Sequence, residues 1–453
     1  MNINRLNRRQ FIAAASAGSL SAIASRTIPG VPPAYGDVSK KAGKLAILGG
    51  RPVRTKPFPG WPIWDKNADE QLVLSVLRSG VWSRAKVVAE FEKKYAQLLG
   101  AKRCLATTHG TTALLTALHV LGIGVGDEVL VGPYTFIASI DVIFLSGALP
   151  IMVDTDRETF QVNPDKMEEK ITENTKAILP VHILGLPANM DKINAIAKKH
   201  NLIVVEDACQ AWLAEWRGKK CGTLSDLGCF SFQNSKHLTC GEGGAIVGDD
   251  EAIMDKCHSY HNFGRPYGET MITLSGYVRL GTKCRMTEYQ AAMLLAQMKR
   301  LEQQTQRRNE NAKYLTSRIK GIPGIIPHRL YDGVTRCAYH LYPFRYEKEQ
   351  FNNVARSKFL AALKAEGIPC SGGYGPINKD PYFERTLRSR NFRKMYSKRR
   401  LNRCRQLNHC PDNDQLCKEA VWFSQNLLLG TKKDMDDIAD AILKIYENRD
   451  KLA

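Results

Sequence analysis

The sequence predicts an α/β fold, a largely parallel mixed sheet sandwiched by helices and followed by a smaller α+β C-terminal domain. Three observations predict it. Between residues 88 and 247, short apolar runs alternate with helical patterns of ten to fifteen residues, as parallel strands with crossover helices do. Past residue 245 that rhythm gives way to one long helical stretch, from Glu288 to about residue 321, and then to a shorter mixed segment. The chain is also 43% hydrophobic, too apolar for disorder, yet it has no apolar run long enough for a membrane-spanning helix.

The elements follow in order. Residues 1–44 read as an address rather than as part of the fold. Arg8 and Arg9 precede Phe11, a weakly apolar stretch runs to Ala24, and Ala22-Ile23-Ala24 offers a small-residue cleavage site for a signal peptide. The paired arginines resemble a twin-arginine export signal. That reading sends the protein, already folded, to the periplasm or cell envelope; without a working signal it stays cytoplasmic. Pro29, Pro32 and Pro33 make the rest of the segment an extended linker. Val88, Phe91, Tyr95 and Leu98 then recur at helical spacing, with Gly100 as the cap. Residues 104–107 read as a strand, 111–121 as a helix, 128–132 as a strand, and the stretch after Pro133 as helix-compatible. Strands are expected at 148–154 and 177–181, a helix at 190–200, and a strand at 202–205 that runs into Glu206 and Asp207. Residues 228–232 and 245–247 read as two more strands, and 339–345 and 356–367 as parts of the small domain. The resulting boundaries are 45–300 for the large domain and 301–453 for the small one.

A formal charge of +20 first suggests nucleic acid, but its distribution narrows that. Residues 1–44 carry seven Lys/Arg and one acid, and residues 385–405 carry ten and none, so the remainder carries about +4. A balanced body with two basic appendages is not a phosphate-backbone groove, and no nucleic-acid partner is expected. The 385–405 insert reads first as a solvated basic helix or loop, with a docking arm for an anionic partner as the sharper alternative. Twelve cysteines contain no CxxC pair, so no metal site is expected; in an oxidising compartment Cys410 and Cys417 are the simplest pair to bridge.

Three local features point to one chemistry. Thr108-His109-Gly110-Thr111-Thr112 joins a strand end to a helix start, where free backbone N–H groups and hydroxyls make a phosphate cradle. Its bland reading is a plain helix cap. Asp207 stands at the carboxyl end of an apolar strand, beyond which ligands bind in open α/β sheets. An acid there can hold a heteroaromatic nitrogen protonated, or simply cap a turn. Lys236 lies in a polar loop followed by Gly241-Glu242-Gly243-Gly244. A lysine whose surroundings lower its pKa can form a Schiff base, whereas an ordinary loop lysine is a solvated charge.

Together with further motifs, these features resemble the DegT/StrS-type family of sugar and cyclitol aminotransferases. The likeness runs in order through LAILGG at 45–50 with Trp61-Pro62, HGTTAL at 109–114, Pro133-Tyr134-Thr135-Phe136 and VVEDACQA at 204–211. It continues with FSFQNSKHLTCGEGGA at 230–245, CRMTEYQAA at 284–292, AEGIPCSGGYGPINKDPYF at 365–383 and WFSQNLLLG at 422–430. The resemblance implies the fold-type-I aminotransferase scaffold and pyridoxal 5'-phosphate (PLP) as cofactor. By position it implies Lys236 as the lysine that holds the cofactor, Asp207 as the acid paired with the pyridine nitrogen, and Gln210 near the phenolic oxygen. It likewise implies Phe136 as the ring stacked on the cofactor and Gly110, Thr111 and Ser231 as phosphate contacts.

It also implies a homodimer with the site at the interface, where the segment holding Lys283 and Arg285 reaches the neighbouring subunit's phosphate. Lys283 is a departure, since related sequences tend to have Asn there, although a lysine still holds phosphate as a point charge. Ala85-Lys86, where a glycine-containing turn is common, is a second departure, and the basic insert a third. The implied reaction carries an amino group from glutamine or glutamate to a keto sugar or keto cyclitol, the cyclitol branch being nearer in motif. A histidine in place of Lys236 would suggest a dehydratase instead. The second reading is a PLP-fold protein without turnover that serves as a binding or sensory module of the cell envelope, motivated by the export signal.

Overall fold

Amphipathic helices and doubly covered strands build the large sheet, and their ends are set by local caps. The computed structural model describes residues 43–452; the twin-arginine segment lies outside them. Helix α1 (Lys66–Ser79) starts where the Asp65 carboxylate accepts from the N–H groups of Asn67 and Ala68. Helix α2 (Lys86–Leu99) buries Val88, Phe91, Tyr95 and Leu99 and stops at Gly100, whose φ of 77° suits glycine. Then follow β1 (Arg103–Thr107), α3 (Gly110–Val120), β2 (Glu128–Val131), α4 (Ala138–Leu145) and β3 (Leu149–Met152). Next come β4 (Thr175–Leu179), α5 (Met190–His200) and β5 (Ile203–Asp207). A short ribbon, β6 (Glu215–Trp216) and β7 (Lys219–Lys220), precedes β8 (Leu227–Ser231), β9 (Gly244–Gly248) and α6 (Glu251–His261).

The seven-stranded sheet has the order β1-β9-β8-β5-β4-β2-β3. Strands β3, β2, β4, β5 and β8 pair in parallel, while β9 runs antiparallel to both β1 and β8. Leu130, Ile151, Val205 and Ile246 are fully buried, as a sheet with helices on both faces requires. This is the mixed, largely parallel α/β sheet that the alternation predicts.

Helix α7 (Glu288–Ile319) then spans residue 300, so the two expected domains share one continuous helix. Glu288 at its start is buried and accepts from the backbone N–H groups of Ala85 (2.7 Å), Val87 (2.9 Å) and Val88 (2.9 Å), capping α2 from a distance. Beyond it lie β10 (Ile325–Pro327), β11 (Val334–Arg336), β12 (Leu341–Tyr346) and α8 (Arg356–Ala365). The C-terminal part comprises α9 (Pro381–Leu387), α10 (Arg390–Met395), α11 (Lys398–Leu407), α12 (Pro411–Glu419), β13 (Ala420–Ser424) and α13 (Lys432–Glu447). A second sheet runs β10-β12-β13, and β11 joins the ribbon as β11-β6-β7.

The basic insert comprises the end of α9, all of α10 and most of α11, packed on the large domain. Phe144 of α4 meets the rings of Phe383 and Phe392 at 5.3 and 5.2 Å. The Tyr396 hydroxyl donates to the Gly147 carbonyl (2.7 Å) and accepts from the Gly126 N–H (2.9 Å). Phe392 and Tyr396 are therefore the insert's anchors. All twelve cysteines are free thiols, which corrects the Cys410–Cys417 expectation. The two stand at opposite ends of α12, with Cys410 Sγ near the Met152 carbonyl (3.7 Å) and Cys417 Sγ near Asn413 Oδ1 (3.8 Å). Burial pushes both thiols up to about 12, which keeps them protonated and unreactive. Among the described residues no helix is long and apolar enough to cross a membrane.

Candidate active site

A cavity of about 480 Å³ opens at the carboxyl ends of β1, β5 and β8. That is where an open α/β sheet presents its loops and helix N-termini to a ligand. Glycine lets these ends meet. Gly244 pairs with both Thr107 and Ser231, and a Cβ there would lie 2.3 Å from the carbonyl carbon of His109. A Cβ on Gly110 would lie 2.6 Å from Ser231 Cβ and 2.8 Å from Cys209 Sγ. The start of α3 is thereby pressed against the end of β8.

Phosphate-type chemistry is built into that junction. The first N–H groups of α3 have no carbonyl one turn back and carry the helix's positive end. Thr112 Oγ1 accepts from the His109 N–H (3.0 Å) and orders the first turn. Gly110, Thr111 and Ser231 face the cavity beside it, supplying small surfaces and two hydroxyls.

Asp207 is held by two donors. Its Oδ2 accepts from Ser139 Oγ (2.7 Å), which itself pairs with Thr135 Oγ1 (2.9 Å), and its Oδ1 accepts from the Cys209 N–H (3.1 Å). Glu206, one residue earlier, is fully buried and braces the strand end. Its carboxylate accepts from the N–H groups of Gly222 and Leu224 (2.7 Å each) and from Ser225 Oγ (2.9 Å), and pairs with His182 Nε2 (2.9 Å). Gln210 is oriented at both ends: Oε1 accepts from the Leu184 N–H (2.8 Å) and Nε2 donates to the Tyr374 hydroxyl (3.0 Å).

Lys236 sits on the loop between β8 and β9, closed by Phe232 N–H to Gly243 O (2.8 Å) and Cys240 N–H to Phe232 O (3.1 Å). Its carbonyl accepts from Trp61 Nε1 (3.1 Å). The side-chain amine makes no hydrogen bond or ion pair among the described residues, and burial holds its pKa below the usual lysine value, against the pull of Cys209 and Asp207. Trp212, His237 and His340 form an aromatic wall nearby, with ring centroids 5.2 Å (Trp212–His237) and 5.7 Å (His237–His340) apart. Burial first, and then the nearby cations Arg308 and Lys236, hold both imidazoles well below their usual value and therefore neutral.

The structure brings Gly110, Thr111, Phe136, Asp207, Gln210, Ser231 and Lys236 to the lining of this one cavity. Phe136 stands at its mouth, 57% exposed, and also lines an adjoining cavity of about 630 Å³ with Tyr374 and Tyr382. Lys283 and Arg285 do not line it. Arg285 Nη1 donates to Asn262 Oδ1 (3.0 Å), Lys283 is exposed, and Cys284 between them accepts through its carbonyl from the Thr108 N–H (3.0 Å). Sequence reasoning missed Ser139, His340 and Tyr374. Tyr374 carried a signal, as part of the GYGPINK stretch; Ser139 is one serine in an apolar helix and carried none.

The model of the DegT/DnrJ/EryC1/StrS aminotransferase family matches residues 64–422. An L-glutamine:2-deoxy-scyllo-inosose aminotransferase of Streptoalloteichus tenebrarius is 33% identical over 423 residues, covering 90% of this chain and 99% of that one. An enzyme of the same name from Streptomyces kanamyceticus is 32% identical over 430 residues, covering 91% and 99%. Among solved structures, 3-amino-5-hydroxybenzoic acid synthase superposes with a TM-score of 0.75 at 30% identity, covering 88% of this chain and all of that one.

Proposed function

The chain belongs to the DegT/DnrJ/EryC1/StrS aminotransferase family, and we propose that it transfers the amino group of L-glutamine to a keto cyclitol, with PLP as its cofactor. The substrates are those named for the relatives; the observation that carries the cofactor is the convergence of Lys236, Asp207 and the Gly110–Thr111–Ser231 cradle in one cavity. The cradle suits a phosphate, since it joins unpaired helix N–H groups, two hydroxyls and a glycine with no room for a side chain. Asp207 suits a pyridinium nitrogen, because Ser139 and Cys209 fix both of its oxygens.

When bound, PLP supplies a reactive carbonyl and an electron-accepting ring. Lys236 contributes an amine whose neutral form is favoured by burial, so that Nζ can take the proton from the donor's Cα and later deliver one to the acceptor carbon. Asp207 would keep the ring nitrogen protonated. Gln210, tied at both ends to Leu184 and Tyr374, would hold the cofactor's phenolic oxygen, as the family resemblance implies. Phe136 and Tyr374 border the adjoining cavity, through which the cyclitol enters.

The working unit we propose is a homodimer, in which Lys283 and Arg285 extend from one protomer to the cradle of the other. Supporting this is the exposed apolar segment just before them, including Ile272, Tyr277 and Leu280. To test the reading, PLP-loaded protein is mixed with L-glutamine and its visible spectrum followed, then 2-deoxy-scyllo-inosose is added and the amine sought by mass spectrometry. Loss of the visible band with glutamine, its return with the ketone, and neither in Lys236→Ala are expected. A band indifferent to every amino donor would overturn it.

A further inference from the structure

We propose that the basic insert carries a second binding site, separate from the active site, for a compact phosphate-rich anion. Residues of α9, α10 and α11 and the turns beside them line a concavity of about 660 Å³. Four cations line it: Arg388, Arg393, Lys398 and Arg405. A single carboxylate, Glu384, lies among them, and it is already committed to Arg405 (2.7 Å) and Arg388. Arg393 and Lys398 are exposed and make no ion pair among the described residues. The insert's other paired cations point elsewhere, Arg400 to Glu128 (3.0 Å) and Arg403 to Glu173 (3.1 Å).

A solvated basic helix spreads its charge; this one turns four cations from three helices towards one volume. Like charges held together repel, and the fold holds these by anchoring Phe392 and Tyr396 beneath them. The arrangement is relieved by an anion bearing several negative charges. Guanidinium groups bind phosphate oxygens in paired hydrogen bonds, and the volume is that of a small-molecule site. Concavity favours a soluble phosphate-rich molecule over a flat membrane of anionic headgroups. No lining residue is shared with the catalytic cavity, so this site does not depend on the transamination reading.

Sodium tripolyphosphate is titrated by calorimetry into the full-length protein at two salt concentrations. Saturable binding of about one equivalent per chain is expected, weakening as salt rises. The double variant Arg393→Gln/Lys398→Gln should lose about tenfold or more in affinity at unchanged thermal midpoint, its two positions being exposed. No saturable binding, or equal binding by the double variant, removes the proposal. So does cosedimentation with phosphatidylglycerol vesicles that tripolyphosphate does not compete away, since that would make the patch a membrane contact.

Discussion

Lys236 shows what a single buried amine costs the fold. Its amine is buried with no carboxylate bonded to it, and burial is the largest influence on its pKa, which falls below the usual 10.5. Between the folded and the unfolded value, the unfolded chain binds more protons, so stability of the cofactor-free protein rises with pH across that window. Below the folded value the penalty is constant and full. Cofactor-free Lys236→Met should accordingly be more stable than the parent at neutral pH, with the gap closing as pH approaches 10.5. Urea denaturation at several pH values measures this; a variant less stable than the parent at neutral pH would show that the ammonium is well accommodated. Lys236 and Asp207 were legible in the sequence because each lies in a short motif whose neighbours set its register. Ser139 was not, because the bond to Asp207 Oδ2 joins residues 68 positions apart, and nothing local marks a helical serine as a partner.

At the scale of elements, the link between α2 and α7 explains why the chain does without a glycine turn at Ala85-Lys86. Ala85 keeps a negative φ (−151°), and its N–H, with those of Val87 and Val88, is taken by the Glu288 carboxylate. A side chain some 200 positions away thus does the work of an N-cap. Glu288→Ala leaves three N–H groups unpaired, those of Val87 and Val88 buried and that of Ala85 partly so, and should cost about 2–4 kcal/mol, with Glu288→Gln costing about half as much. Guanidinium denaturation with an unchanged m-value checks this, and a loss within about 0.5 kcal/mol would mean that water replaces the carboxylate. The alternation of strands and helices was readable because covered strands are continuous apolar runs and their helices keep a 3.6-residue period. The direction of β9 was not readable, since a short apolar strand has the same pattern either way and only its pairing with β1 and β8 decides it. The insert's helices were obscured by their arginines, which hide an apolar side as small as Phe392, Tyr396 and Leu401.

For the whole molecule, the unexplained pair is Lys283 and Arg285, which the family resemblance puts at a phosphate and the single chain leaves outside its own cavity. Both facts agree if the phosphate belongs to a second copy. The segment before them exposes Ile272 (79%), Tyr277 (71%) and Leu280 (78%), an apolar surface of the kind that marks an interaction site. The carbonyl of Cys284 also accepts from the N–H of Thr108, so the reaching segment is braced on the strand end that feeds its own cradle. In a two-fold dimer each site then takes Lys236 from one protomer and Lys283 with Arg285 from the other. Complementation tests this directly. Lys236→Ala and the double variant Lys283→Glu/Arg285→Glu should each be inactive alone. Unfolded together and refolded as a mixture, they form hybrids in which one site has every wild-type group, and about a quarter of parental activity should return. If Lys283 and Arg285 served their own chain's site, each hybrid site would still lack one group, and mixing would restore nothing.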